Sequence, residues 1–592
     1  MKKLRRELEF LLYECLGAEE LFSRERYLEH SRETADDVLD MAQRIAENLL
    51  APHNVKGDRE EPHFDGERVH LIPETKVAWE GVARAGFIAA TFDHTWGGIQ
   101  LPEVFMRASM AMFSAANIAT TAYPFLTIGV ANLIEHFASD NDKKRFLPAL
   151  LSGRFSGTMA LTEAAQGSSL ADITTIAKLQ PDGSYQLKGQ KIYISGGDHE
   201  FCENIIHMVL AKIEGSPAGV KGISLFICPK FLLNEDGSLG QRNDVQLAGL
   251  LHKMGYRNTV NTVLSFGEQD NCVAYLVGEP HKGLHYMFQM MNEARIGVGL
   301  GAAALAYAGF DYSLYYAKER LQGRFASNKD PLSPQVPIIE HGDVKRMLLA
   351  QKSYAEGSLA LCLYASRLVD DERTDQEGAI ATELLDFLTP MVKSWPSRYG
   401  LKANELAIQV LGGAGYIREY PVEQYYRDNR INPIHEGTEG IQALDLLGRK
   451  LPYKQGKLYQ GFLARIKTDI QKAGQGRGLS SVLAERLIPY LELHQQVSDF
   501  LLKAMAQNID LALANASEYL DFSGRLTLGW LWLLQVRAAE LGLETASDKT
   551  YYQGKLQTAQ YHFDWEMPQM KEQAERLMGL NSLAYDMKAD WF

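Results

Sequence analysis

Ile434-His435-Glu436-Gly437-Thr438-Glu439-Gly440-Ile441-Gln442 is the stretch on which the reading of this chain turns. Thr438 is placed to cap a helix, and Glu439 puts an acidic side chain in its first turn. Glu436 then stands just outside a helix N-terminus. Alone, these residues allow two readings: a capped helix with a solvated Glu, or a carboxylate held at the edge of a site. A second polar, Gly-containing segment ends another element: Met159-Ala160-Leu161-Thr162-Glu163-Ala164-Ala165-Gln166-Gly167-Ser168-Ser169. Its backbone N–H groups and hydroxyls suit an acceptor-rich ligand.

Outward from these segments the sequence texture changes. Residues 1 to about 155 are helical in pattern. Within Ser31–Leu50, Val38, Leu39, Met41, Ala42, Ile45, Ala46 and Leu49 recur three and four apart, and Pro52 is expected to stop the helix. Ala108–Ala119 and Thr127–Phe137 read as further helices, and Asp140–Lys144 as a polar loop with a helix start. From about Gly157 to Gly278, short β-branched runs alternate with turns. Ile173–Leu179, Pro181-Asp182-Gly183 and Tyr185–Leu187 make a hairpin signal. Ile192–Ser195, Ile205–Ile213, Ile223–Cys228 and Thr262–Phe266 continue the strands, and their spacing predicts a small antiparallel barrel or sandwich.

Helix returns after Pro280. The absence of proline from Gly283 to Leu321 and from Ile338 to Thr389 predicts two long helices. Ser397–Val410 and Glu439–Arg449 follow, and four helices in succession predict an antiparallel bundle. Tyr490–Leu502 and Asp521–Leu541 read as later helices, and Lys454–Gln475 as a linker. The chain is therefore expected to be mainly α with a central β-domain. Its four parts are an N-terminal helical domain (1–156), a β-domain (157–279), a four-helix bundle (280–452) and a C-terminal helical domain (453–592).

Lys and Arg number 61 against 74 Asp and Glu in 592 residues, a net charge of −13. That is not the footprint of a nucleic-acid binder, although an anionic small ligand needs only a local basic or backbone site. Cys15, Cys202, Cys228, Cys272 and Cys362 include no C-x-x-C and read as reduced thiols. No Cys/His spacing fits a metal, and none is expected. The start MKKLRRELEFLLYECLGAEELF is broken by Glu7 and Glu9 and reads as an amphipathic helix rather than a signal peptide. Ile296–Phe310 and Leu526–Val536 are shorter than the roughly 20 residues of a membrane span. A soluble, cytoplasmic protein without a transmembrane segment is expected. Gly297, Gly299 and Gly301 match G-x-G-x-x-A, but inside a helical stretch with Met287, Met290 and Met291 upstream. They read as close helix packing, not as a dinucleotide fold. No G-x-S-x-G elbow or Walker A loop occurs.

Taken together and in order, these segments resemble the acyl-CoA dehydrogenase family over about residues 35–450. Thr162-Glu163…Gly167-Ser168 is similar to the family's flavin- and thioester-binding loop. Lys191-Ile192-Tyr193-Ile194-Ser195-Gly196-Gly197 is similar to its flavin strand. Met291-Asn292-Glu293-Ala294-Arg295 and Arg320-Leu321-Gln322-Gly323-Arg324 resemble the two ends of its long bundle helix. Gln409-Val410-Leu411-Gly412-Gly413-Ala414-Gly415-Tyr416 resembles its flavin-diphosphate loop. Tyr420-Pro421-Val422-Glu423 through Arg427-Asp428 leads into Glu436-Gly437-Thr438, which resembles its catalytic Glu segment. Ile441–Lys450 and Tyr551-Tyr552-Gln553-Gly554-Lys555 resemble the longer bacterial branch, which adds a C-terminal helical domain.

The resemblance implies an FAD-dependent α,β-dehydrogenation of an acyl-CoA, the opening step of β-oxidation. Glu436 is implied as the general base, its own N–H binding the thioester oxygen, and flavin N5 as the hydride acceptor. FAD is expected between the β-domain and the bundle. Its implied contacts are Leu161, Thr162, Gly167, Ser168, Tyr193, Ser195 and Thr438, with Arg320, Gln409, Gly412 and Gly413 reaching the phosphates of a neighbouring subunit's FAD. Ser168, Arg295 and Gly437 are implied in substrate binding. An electron-transferring flavoprotein is the implied acceptor, and a homodimer or dimer of dimers the implied assembly. An O₂-using acyl-CoA oxidase and a non-catalytic flavin-binding scaffold are the alternatives. Several positions depart from the family pattern. Ala164 stands for Pro, Gln166 for Ala and Ser169 for Asp, which predicts a less rigid loop. Tyr193 and Ser195 stand for Trp and Thr, and Gly440 for Gln. His435 stands for Tyr, where it either alters the titration of Glu436 or simply packs.

Overall fold

The computed structural model describes residues 1–328, 330–376 and 378–592, with side chains at all of these but 288–291. Met290 and Met291 of the sequence motif thus lie outside the described side chains. Cα packing divides the chain into two units. One comprises Glu33–Pro102 and Met112–Ala294, the other Met1–Arg32, Glu103–Ala111 and Arg295–Phe592.

In the first unit, the β-branched runs form a sheet that curls back on itself. Tyr185–Ser195 pairs on one edge with Val273–Leu276 and on the other with Ile176–Leu179, both opposite Gln186. Val273–Leu276 continues to Ile223–Pro229, then to Asn204–Ile213, whose end runs parallel to Ile176–Leu179 and closes the ring. Phe155–Ala160 joins Asn204–Ile213, also in parallel. The barrel is thus antiparallel except at these two pairings. Asn261–Phe266 and Val245–Leu250 extend the sheet from the later half of Tyr185–Ser195. The inward residues are a mixture of large and small, Leu187, Val209, Phe226 and Phe266 beside Ala160, Ala177 and Ala211, as a tightly curved barrel requires.

Pro52 does not stop the helical chain. Arg32–Ile45 runs on through a wide turn, Ala46–Leu50, and a 3₁₀ turn, Ala51–His53, that carries Pro52 in its first positions. There the missing N–H costs nothing, because the first N–H groups of a helix have no partner. The two helices expected within 108–137 are one element, Glu103–Phe137, broken where Asn117 leaves helical angles (φ −164°, ψ 88°). Asn117 restarts the helix. Its Oδ1 accepts from the Thr120 amide at 3.0 Å while its Nδ2 donates to the Leu50 carbonyl.

Gly283–Glu319, which enters the second unit at Arg295, is one helix as expected, but Ile338–Thr389 is not. Gly342–Arg373 ends near Asp375, which sits at φ +52°, and a new helix runs from Ala379 to Leu411 through both Pro390 and Pro396. Each proline frees the carbonyl four residues back. Lys450 Nζ donates to the Asp386 carbonyl freed by Pro390. The Val392 carbonyl freed by Pro396 faces Gly299, where a Cβ would lie 2.1 Å from its oxygen. Gly299 is therefore a close-approach glycine inside a helix. Further along, Asn404 Nδ2 donates to the Leu305 carbonyl, so the two helices run in the same direction. Glu439–Leu444, prolonged by the wide turn Asp445–Lys450, completes the set.

The expected linker is a helix. Lys457–Gly474 buries Leu458, Tyr459, Phe462, Leu463, Ile466, Ile470 and Ala473, and only the turn at Lys454–Gly456 precedes it. Its Gly, Lys and Gln residues occupy the solvent face of an amphipathic pattern. Leu479–Gln507 carries Pro489 in its interior, so it begins before the expected Tyr490, and Ala516–Thr545 extends the expected helix at both ends. The first helix, Lys2–Glu9, is amphipathic but buries Glu7 as well as Leu4 and Leu8. Glu7 is bonded to Lys555, which also donates to Glu356 at 2.8 Å and Gln535 at 3.0 Å. Tyr551 donates to Glu7 and Tyr552 to Glu14. The Tyr551–Lys555 motif thus anchors the chain's first helix. Among the described residues, no helix is long and apolar enough to cross a membrane.

Candidate functional site

The residues singled out by sequence form three groups. In the β-unit, Thr262 opposes Ile194 but Leu264 opposes Lys191, so Ile192 and Tyr193 share the place opposite Val263. This β-bulge puts Tyr193 at φ +62° and leaves its ring 64% exposed. The Ile192 amide donates to the Thr162 carbonyl at 2.9 Å, which brings the loop alongside. Leu161 and Thr162 are half-buried, Gly167 and Ser168 exposed, and Gly167 lies over the Thr162 methyl. Ser195, at the strand end, is 3.5 Å from Asn261 Nδ2, and Asn261 Oδ1 is buried without a partner. The face therefore presents an aromatic ring, hydroxyls and an unsatisfied acceptor, which fits a flat heteroaromatic ring with a hydrogen-bonding edge.

The loop is held without its proline. Glu163 and Gln166 exchange both backbone hydrogen bonds, at 2.9 and 3.0 Å. The buried Glu163 carboxylate accepts from the amides and hydroxyls of Thr174 and Thr175, and from Lys191 at 3.0 Å. Burial alone would raise its pKa. The hydrogen bonds from Thr175 and Thr174, with the Lys191 charge, outweigh this and bring it down to about 2. Burial brings Lys191 down to about 8 against the pull of Glu163. Lys191 also donates to the Leu161 carbonyl at 3.0 Å. Side-chain hydrogen bonds to Glu163 thus fix the start of the loop where a proline ring is missing.

The second group surrounds Glu436. Glu436 and Gly437 both have left-handed backbone angles, φ +52° and +85°. At Glu436 this is strained and needs outside support. Gln442 Nε2 donates to the Glu436 carbonyl at 3.0 Å and Lys393 Nζ to the Gly437 carbonyl at 2.8 Å. Thr438 caps the next helix by accepting from the Ile441 amide, as the spacing predicts. Glu436 is half-buried. Desolvation raises its pKa, and the charges of Lys393 and then Arg295 oppose that rise. Lys393 itself is brought down to about 8 by burial, against the attraction of Glu436 and Glu439. Arg295 is buried and paired with Asp445 at 2.8 Å, its Nε without a partner. His435 shares a hydrogen bond with Asn432, and burial lowers its pKa to about 3, so it is neutral.

Lys393 is absent from the sequence reading, and Gln442 stands there in a quoted segment without a role. A lone Lys in the apolar run Leu388–Trp395 was the available signal, since nothing apolar would tolerate it unless it were partnered. Glu163, inside a quoted motif, was likewise read without a role.

The third group lies at the far end of the bundle. From Arg295 to Glu319 the helix rises roughly 36 Å at 1.5 Å per residue. Beyond it Arg320 is exposed, its guanidinium donating to the Leu321 carbonyl and to Gln322 in its own loop. Phe310, Ala317, Val410 and Leu411 pack in one core here, which holds the end of Ala379–Leu411 beside Arg320. Gln409, Gly412 and Gly413 are exposed, with open space where either glycine's Cβ would be. An arginine beside open glycine backbone fits a diphosphate.

Three family models match the chain in order. They are Acyl-CoA dehydrogenase, N-terminal domain, over residues 32–154, Acyl-CoA dehydrogenase, C-terminal domain, over 281–451, and Acetyl-CoA dehydrogenase C-terminal like over 462–588. The chain is 35% identical to 3-methylmercaptopropionyl-CoA dehydrogenase of Ruegeria pomeroyi, with 90% of each chain covered. It is 33% identical to the broad-specificity linear acyl-CoA dehydrogenase FadE5 of Mycobacterium tuberculosis, with 94% of each covered. The chain belongs to the acyl-CoA dehydrogenase family, in the longer form that carries the extra C-terminal domain. The solved structure of a Bacillus anthracis acyl-CoA dehydrogenase complexed with FAD has the same fold. Its TM-score is 0.74 at 20% identity, covering 95% of this chain and 90% of that one.

Proposed function

We propose that this protein uses FAD to form the α,β double bond of an acyl-CoA thioester, with Glu436 as the base. The observation that carries this is the turn at Glu436. A carboxylate is held in a left-handed conformation by two side chains that fix consecutive carbonyls. Its raised pKa makes it a stronger base, while Lys393 and Arg295 keep the ionised form accessible. Glu436 takes the α-proton, and its backbone N–H binds the thioester oxygen, where charge develops. FAD, when bound, supplies the hydride acceptor. Tyr193 stacks near the flavin ring, and Thr162 and Ser195 bond its edge, with Leu161, Gly167 and Ser168 completing the loop. Thr438 holds the helix cap and reaches the cofactor.

The separation between Glu436 and Arg320 supports a homodimer. A flavin served by Glu436 is too far from Arg320 of the same chain, so Arg320 and Gln409–Gly413 serve a second copy's phosphates. Arg295 acts on the substrate side through Asp445 and Glu436 rather than as a free cation. Electrons pass to an electron-transferring flavoprotein, and the reaction belongs to cytoplasmic β-oxidation. Its proposed domains are 1–156, 157–279, 280–452 and 453–592.

The test is an anaerobic titration of purified, FAD-loaded protein with acyl-CoA thioesters from short to long. Loss of the flavin's visible colour with at least one of them is expected. No bleaching with any thioester contradicts the reading, and peroxide formed without an added acceptor assigns an oxidase instead.

A further inference from the structure

A cavity of about 600 Å³ lies in the second unit; no residue assigned to flavin or thioester lines it, although Phe310 and Leu348 of its wall share a core with Val410 and Leu411. Two helices supply its walls. Tyr307, Phe310 and Leu314 lie three and four apart on Gly283–Glu319, as do Lys345, Leu348, Leu349, Lys352 and Glu356 on Gly342–Arg373. Each set therefore faces the cavity from one side of its helix. The first helix closes it with Lys2, Lys3 and Arg6. The apolar side chains form the floor and the long cationic ones the rim.

Charge sets this cavity apart from the rest of the molecule. Five cationic side chains and a single carboxylate line it, in a chain whose net charge is −13. That carboxylate, Glu356, is already bonded to Lys352 and Lys555. The acids that meet the rim stand outside the lining: Lys345 pairs with Glu340 at 52% and 42% exposure and Lys3 with Asp311, while Arg6 is half-buried and held by Glu14 and Tyr552. The exposed Lys345 and Lys3 pairs contribute little, so an anionic ligand displaces them at small cost. A volume of this size is that of a small-molecule site. An apolar floor under a cationic rim suits a chain with one anionic end.

We propose that this cavity binds a medium- to long-chain fatty carboxylate, its chain on Phe310, Leu314 and Leu348 and its head among Lys2, Lys3 and Lys345. Such a ligand touches the first helix and the bundle helices at once. Binding therefore raises the unfolding temperature. It is independent of turnover, so it stands or falls apart from the flavin chemistry.

The experiment is calorimetric titration of the full-length, FAD-loaded protein with dodecanoate, with thermal unfolding measured alongside. One molecule per chain is expected to bind, with dodecanol and dodecyltrimethylammonium at least tenfold weaker. Leu348→Trp, which fills the floor, weakens dodecanoate at least tenfold at unchanged flavin content. Lys2→Glu with Lys3→Glu, on exposed side chains, weakens it to a similar degree. Absence of binding, equal binding of dodecanol, or binding indifferent to both the floor and the rim variants overturns the proposal.

Discussion

Lys393 Nζ lies 2.8 Å from the carbonyl oxygen of Gly437, and the ammonium that makes this bond is fully buried. It does two jobs at once. It fixes the second of two left-handed residues, and it places a positive charge where Glu436 feels it. Removing the charge as Lys393→Met lets burial raise Glu436 further. The base must be ionised, so the acid limb of the kcat/KM profile moves to higher pH. We expect a shift of about one unit, and roughly tenfold lower kcat/KM below the limb. Lys393→Arg keeps the charge and returns the limb toward its original place. A pH–rate profile of the three proteins checks this; an unmoved limb in Lys393→Met reduces the residue to packing.

The Glu163 carboxylate carries the flavin loop through Thr174, Thr175 and Lys191. Glu163→Gln leaves Lys191 buried without its countercharge and is expected to cost about 3 kcal/mol. The sign with pH follows from its depressed pKa. In the unfolded chain the group titrates near 4.5 and in the folded protein near 2. Its stabilisation is complete above about 4.5 and is lost as pH falls toward 2. Denaturant unfolding of both proteins across this range should show a gap that narrows toward acid.

Lys555 sits between Glu7 and Glu356 with no exposure of any of the three beyond 1%. Lys555→Met leaves two buried carboxylates facing one another, which is expected to destabilise by about 3–5 kcal/mol. Adding Glu7→Gln, with Glu356 still paired to Lys352, removes the uncompensated charge and should recover most of that loss. Denaturation midpoints of the single and double variants decide the point.

Arg320 and Glu436 belong to different sites if each flavin draws its phosphate ligands from a second copy. Arg320→Ala alone should weaken FAD roughly 10- to 100-fold, as loss of hydrogen bonds to a charged group does. Co-expression with a Glu436→Gln chain is the sharper measurement. In a mixed dimer one site then keeps both residues, and turnover returns toward half of the wild-type level. If both residues serve one chain's own site, the mixture shows no more turnover than its Arg320→Ala chains give alone.

Local chemistry was legible in the residues; tertiary compensation was not. The Thr438 cap, the hairpin at Pro181-Asp182-Gly183 and the packing glycine at 299 follow from short-range rules, and the structure has them all. Proline misled in both directions. Its absence over 338–389 hid a helix end at Asp375, which is a matter of one residue's φ. Its presence at 390 and 396 broke nothing, because Lys450 and Gly299, distant in sequence, accommodate the freed carbonyls. The apolar stripe in Lys457–Gly474 was diluted by Gly, Lys and Gln that only a folded context assigns to the outside. Lys393 and Gln442 act through backbone oxygens, for which no side-chain motif exists.

The role of Glu436 is tested most directly by Glu436→Gln, loaded with FAD and mixed anaerobically with an acyl-CoA that bleaches the wild type. The amide keeps the size of the side chain and removes its basicity. The variant should hold its flavin and bind the thioester, while the rate of bleaching falls by several orders of magnitude. Bleaching at a rate close to that of the wild type would contradict the account at its centre.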